Sequence, residues 1–105
     1  MLWEDVVREV LEKEVDETFR DKIDEFIEFL WNLLMNLAKD RRKYAHHMWL
    51  LITSSDSLEA IGAKVNAFYA FLVYKGYVSP YRLMKDKYLR GNAYAWIRLY
   101  REVFG

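Results

Sequence analysis

Apolar residues recur with helical spacing along nearly the whole chain. Near the start they fall at i, i+3, i+4, i+7 and i+8, which places them on one face of a helix. This stripe predicts a helix over about residues 3–14 and consists of Trp3, Val6, Val7, Val10 and Leu11.

A longer apolar seam follows, after polar residues 16–18 and Asp21, which are typical of a helix start. Its members step by four and three residues in a heptad pattern, and they are Phe19, Ile23, Phe26, Leu30, Leu33 and Leu37. The stripe is wider than one seam, so this helix must be covered on more than one side. The polar run Lys39–Lys43 is compatible with a turn capped by Asp40 or with a solvated stretch of one long helix, and we favour the turn. After it, Tyr44, Met48 and Leu51 resume the period up to Thr53.

The next segment predicts a central, mostly buried helix from Ser57 to Tyr74. Asp56 is the expected N-cap, with Glu59 three residues later. The helix is rich in aromatic residues and carries small ones that allow close approach of neighbouring helices, namely Ala60, Ala63, Ala67 and Ala70. Gly76 is suited to the positive φ of a helix C-cap.

Two further helices are predicted in the last quarter of the chain. Ser79 and Pro80 fit an N-cap and the first helical position, and that helix should end near Arg90 and Gly91. Asn92 can cap the last helix, whose buried face comprises Ala93, Trp96, Ile97, Tyr100, Val103 and Phe104. We therefore expect a single all-α domain over residues 1–105, a compact bundle of five to six helices.

The composition fits such a domain. Hydrophobic residues make up 53% of the 105 residues, enough for a packed core, and there is no cysteine for disulfides or thiolate metal sites. The 30% charged residues and the absence of glutamine are compatible with a thermophile. No targeting signal is visible, and the most apolar stretch, 26–38, is too short to span a bilayer, so we expect a cytoplasmic protein without membrane contact.

The zero net charge conceals an asymmetry along the chain. Residues 1–40 hold twelve acids and five bases, a net charge of −7. Residues 41–105 hold eleven bases and four acids, a net charge of +7. Such a split predicts a partner of opposite charge, or two parts of the fold with different faces.

No group of residues predicts catalysis. His46 and His47 are adjacent, so on a helix they point about 100° apart and do not face one ligand together. The N-terminal acids have no histidine, metal motif or nucleophile to pair with and fit a solvated helix face, and no glycine-rich phosphate loop is present. We expect a protein that is not an enzyme and holds no metal or cofactor.

The basic, tyrosine-rich C-terminal region is the strongest functional feature. Between Tyr74 and Arg101 there are seven bases and one acid, Asp86. Cations neutralise phosphates, and aromatic or guanidinium planes stack on unpaired bases whatever their sequence. The predicted nucleic-acid-binding residues are Arg41, Arg42, Lys43, Lys75, Arg82, Lys85, Lys87, Arg90, Tyr94, Arg98 and Arg101.

Three segments resemble a known family. They are the helix start Arg41–Ala45, the Ala-aromatic stretch Val65–Leu72 and the segment Trp96–Tyr100. Over residues 40–102 the chain resembles the small all-helical subunits of CRISPR effector complexes of type I-A and type III, which act in antiviral defence. The resemblance implies a non-catalytic subunit that associates with further copies and other subunits. It would hold single-stranded DNA or RNA, or a guide–target duplex, by the backbone.

A different class of function is also compatible with the sequence. The Phe19–Leu37 seam could serve a helical protein–protein adaptor or a homo-oligomer. In that case the basic half would be an ordinary solvated surface with no role in nucleic-acid binding.

Overall fold

The computed structural model describes residues 2–40, 48–49, 52–83 and 92–105. Within these ranges the chain is helical and contains no strand. Its four long helices are α1 (Trp3–Glu14), α2 (Ile23–Asp40), α3 (Leu58–Tyr74) and α4 (Asn92–Phe104). A 3₁₀ helix, Glu17–Lys22, leads into α2, and a single helical turn, Pro80–Leu83, follows α3.

The all-α class is confirmed, but the expected number of five to six helices is corrected. The described ranges contain four helices of twelve residues or more. The polar start near residue 16 produces a 3₁₀ helix, whose N-cap Asp16 accepts a hydrogen bond from the Thr18 amide at 2.9 Å, and α2 begins only at Ile23. The helix predicted after Pro80 is described for one turn, and its predicted end near Arg90 lies outside the described residues.

Helices α1 and α2 form an antiparallel pair. Arg8 of α1 pairs with Asp24 of α2 at 2.9 Å, whereas Trp3, earlier in α1, stacks on Trp31, later in α2. The whole predicted seam is buried in the core, with each member no more than 9% exposed: Phe19, Ile23, Phe26, Leu30, Leu33 and Leu37. The pattern predicted this face correctly, and its position in the core removes it as a surface for an adaptor or an oligomer.

Helix α3 occupies the centre of the fold, as predicted. Nine consecutive residues, Lys64–Leu72, are buried, so neighbours cover every side of this helix. The N-cap is Ser57 rather than the predicted Asp56, since the Ser57 hydroxyl accepts from the Ala60 amide at 3.1 Å. At the other end, Gly76 has the predicted positive φ of 76°.

Helix α4 packs along α3 in the same direction. The Tyr100 hydroxyl donates to the Ala67 carbonyl at 2.7 Å, and the Tyr74 hydroxyl donates to the Gly105 carbonyl at 3.0 Å. Phe29 of α2 closes this junction, with its ring centroid 4.8 Å from that of Tyr100 and 4.9 Å from that of Phe104. Aromatic packing therefore fixes α4 against both α2 and α3.

Replacing Tyr100 by Phe should lower the free energy of unfolding by about 1 kcal/mol, because it deletes a buried hydrogen bond while keeping the ring. The matched control is Tyr94→Phe on the exposed face of the same helix, which should change stability little. Urea unfolding of both variants makes the comparison, and equal losses would contradict this role for the Tyr100 hydroxyl.

Candidate nucleic-acid interface

The outer face of α4 carries three of the predicted binding residues. Tyr94, Arg98 and Arg101 are spaced at i, i+4 and i+7, and all three are exposed. Of the predicted core face, Ala93, Ile97 and Tyr100 are buried, Trp96 and Val103 are half-buried, and Phe104 is 37% exposed. The exposed side of α4 is therefore basic and aromatic as predicted, whereas the prediction that Phe104 is buried is wrong.

Lys75 lies at the end of α3, beside the last turn of α4. Its Nζ is 5.5 Å from the centroid of the Phe29 ring, within the range of a cation–π contact, and that ring also contacts Phe104. The side chain is exposed. Lys75 therefore lies at the same end of the molecule as the C-terminus of α4, and Arg101 is in the last turn of that helix.

Seven predicted binding residues have no described side chain. Arg82 belongs to the single turn Pro80–Leu83. The other six lie outside the described residues, and they are Arg41, Arg42, Lys43, Lys85, Lys87 and Arg90. The predicted binding residues whose side chains the structure describes are therefore Lys75, Tyr94, Arg98 and Arg101.

Several of the C-terminal tyrosines point outward. Tyr94 is 52% exposed and Tyr81 is 81% exposed, so both rings can meet a ligand. Tyr77 is exposed but engaged, because its hydroxyl donates to Glu25 at 2.7 Å and Lys22 Nζ lies 4.3 Å from its ring centroid. The hydrogen bond to Glu25 also raises the pKa of Tyr77.

Most of the described acids lie on α1, the 3₁₀ helix and α2, where Arg8 binds Asp5 and Asp24. The exposed bases Lys13, Arg20 and Lys39 lie on the same elements. Helices α1 and α4 each pack on α3 and make little contact with each other. Among the described residues, no acid lies within 4 Å of the cationic nitrogens of Lys75, Arg98 or Arg101. Glu102 is the exposed acid that shares the outer surface of α4.

Metal-ligating side chains do not converge in the described part of the chain, which contains no group of three or more potential ligands. His46 and His47 lie outside it. No helix within the described ranges combines the length and apolar character needed to cross a bilayer.

Lys64 is a buried cation within α3 that the sequence pattern did not single out. It is 2% exposed, and its Nζ donates to the carbonyls of Ser54 and Ala60. Burial lowers the pKa of Lys64 to about 8, although Asp56 acts in the opposite direction. The sequence signal for this buried cation was a lysine within a run of alanine and aromatic residues. The bonds give this ammonium a structural role, since they tie the segment before α3 to the helix.

No protein-family model, curated protein or solved structure matches the chain. The assignment of the interface therefore depends on the geometry and charge of the residues themselves.

Replacing Lys64 by Met should flatten the dependence of stability on pH between about 8 and 10.5. In the native protein the pKa of Lys64 lies below its ordinary value of 10.5, so in this window the unfolded chain binds a proton that the folded chain lacks. Stability of the native protein should therefore rise with pH, by about 1–2 kcal/mol after allowance for screening by nearby solvent.

The measurement is urea unfolding of both proteins at several pH values across this window. Ionisation of tyrosines affects both proteins alike and cancels in the difference. Lys13→Met, which removes an exposed lysine from α1, should keep the native pH dependence. A Lys64→Met protein that retains the native slope would show that Lys64 is not the titrating group.

Proposed function

We propose that this protein binds the phosphate backbone of nucleic acid, without reading its sequence, through the outer face of α4. The observation that carries the proposal is the exposure of Arg98 and Arg101 on one face, with Tyr94 beside them and no described acid paired with either guanidinium. Arginine matches phosphate through two parallel N–H donors, which favours contact with a backbone.

Tyr94 gives this face a second mode of contact. An exposed aromatic ring stacks on an unpaired base whatever its identity, so a ring beside two cations favours a single strand over a closed duplex. Lys75 supplies a further exposed cation where α3 ends, at the end of the molecule where α4 also ends. Single-stranded DNA or RNA is therefore the preferred ligand, with a guide–target duplex as the second.

The proposed context is a ribonucleoprotein in which the protein is a non-catalytic subunit. The resemblance of residues 40–102 to small subunits of CRISPR effector complexes is the basis for this context. It adds other subunits and further copies of the chain as proposed partners. Arg41, Arg42 and Lys43, together with the bases after Lys75, are the positions at which that resemblance places backbone contacts.

The alternative function, an adaptor without a nucleic-acid role, was predicted to use the Phe19–Leu37 seam as its contact surface. Phe26, Leu30 and Leu33 are each no more than 1% exposed, so the seam packs inside the fold and presents nothing to a partner.

Reversing the charge of both α4 arginines, Arg98→Glu with Arg101→Glu, should weaken binding to all sequences alike. Affinity decreases with salt, and the variant should show a shallower decrease. For every phosphate that it no longer neutralises, the magnitude of the slope of log affinity against log salt should decrease by about 0.7 for a single strand or about 0.9 for a duplex. Gel-shift titrations against single-stranded and duplex DNA and RNA, at several salt concentrations, measure both effects.

The matched control is Lys13→Glu with Arg20→Glu, which makes the same change in net charge on the acidic part of the surface. It should weaken binding far less than the α4 variant. Equal losses would mean that only net charge matters. No binding of the native protein to any single strand at low salt would refute the proposed function.

Replacing Tyr94 by Ala should reduce affinity for single strands by about fivefold or more, because stacking contributes about 1–3 kcal/mol per base. Binding to a closed duplex, whose bases are already stacked, should change little. Tyr81→Ala serves as a comparison, since that ring is also exposed but lies outside α4. Equal loss on both ligands would argue against base stacking by Tyr94.

A further inference from the structure

Three of the four tryptophans meet on the side of the fold formed by α1 and α2. The Trp3 and Trp31 rings stack with centroids 6.1 Å apart, and Trp49 meets Trp3 edge-on at 6.0 Å. We call these three side chains the tryptophan cluster. Ring contacts of this kind order the indoles relative to one another before any partner is present.

The tryptophan cluster is only partly covered. Trp31 remains 47% exposed and Trp49 38% exposed, and Met35, one turn after Trp31, is 45% exposed. Single exposed apolar side chains are ordinary, but adjoining ones form a patch of the kind found at protein interfaces. Tryptophan and methionine are also enriched at such interfaces.

The charged residues nearest the three indoles in the sequence are acidic, and the nearest base on α2 is Lys39, one helical turn beyond Met35. Within four positions of any of the three indoles, the charged residues that the structure describes are Glu4, Asp5 and Glu28. They belong to the part of the chain with a net charge of −7. A polyanion would be repelled here, whereas an arginine could place its guanidinium over an indole and its donors on a neighbouring carboxylate.

We infer that the tryptophan cluster is a docking site for a basic segment of a partner protein, one that presents arginines beside apolar side chains. Indoles cover the apolar side chains of that segment, and Glu4 and Glu28 pair with its cations. This site lies on α1 and α2, so it is separate from the basic outer face of α4 and serves a different class of ligand.

The test titrates the whole protein with a synthetic amphipathic helix that has leucine on one face and arginine along its edges. Tryptophan fluorescence and calorimetry report binding. Glu28→Lys should reduce affinity by about tenfold. Glu12→Lys, an exposed acid on α1 about 13 Å further along the helix from Trp3, makes the same charge change and should have little effect.

Trp31→Ala should reduce the affinity for the peptide at least as much as Glu28→Lys. Because Trp31 packs on Trp3, urea unfolding must first show that this variant is folded, and Glu28→Lys tests the site without altering that packing. Reversal of Arg98 and Arg101 should leave peptide binding intact, which distinguishes this site from the α4 face.

Several outcomes would overturn the inference. No peptide binding at millimolar concentration, or equal effects of Glu28→Lys and Glu12→Lys, would remove the basic partner. Equal affinity for a peptide with glutamate in place of arginine would reduce the site to a non-specific apolar patch. A native dimer in ultracentrifugation that Trp31→Ala dissociates would assign the cluster to a second copy of the chain. Loss of oligonucleotide binding in Trp31→Ala would assign it to nucleic acid.

Discussion

Nine consecutive residues of α3 are withdrawn from water, and a helix buried over more than two turns needs a neighbour on every side. Helices α1, α2 and α4 supply those neighbours. Phe68 and Phe71 of α3 meet Phe26 of α2, with ring centroids 5.4 Å apart in both pairs. The positions of the other helices, and with them the surfaces that meet ligands, follow from the need to enclose this one.

Enclosure of α3 also traps two polar side chains. Lys64 binds the carbonyls of Ser54 and Ala60, which compensates part of the cost of burying an ammonium group. Asn66 donates to the Gly62 carbonyl at 2.8 Å, but its Oδ1 accepts no hydrogen bond from the described residues. An unsatisfied buried oxygen costs about 1–3 kcal/mol. The apolar packing around α3 must therefore exceed these costs.

Periodicity predicted the elements well because burial enforces it. The seam of α2, the buried centre of α3 and the buried positions Ala93, Ile97 and Tyr100 of α4 follow from helical spacing. The positive φ of Gly76 follows from the conformational freedom of glycine at a helix C-terminus. The sequence pattern did not decide which of two adjacent polar residues would cap α3, since Asp56 and Ser57 are both good caps and the Ser57 hydroxyl is the one that bonds the helix.

Of the candidate site, the exposure of Tyr94, Arg98 and Arg101 was predictable from one helix. The tryptophan cluster was not, because Trp3, Trp31 and Trp49 come together only through the pairing of α1 with α2 and with the segment that bears Trp49.

The charge asymmetry acquires a spatial meaning once α3 lies between α1 and α4. The acids of α1 and the cations of α4 are carried by helices with little mutual contact, whereas α2, which also bears acids, packs on α4 through Phe29. At physiological salt, exposed charges interact over about 8 Å, so Glu102 on α4 affects the potential at Arg98 and Arg101 more than the acids of α1 do. The two proposed sites, one for a polyanion on α4 and one for a basic protein segment on α1 and α2, therefore lie on different helices of the same domain.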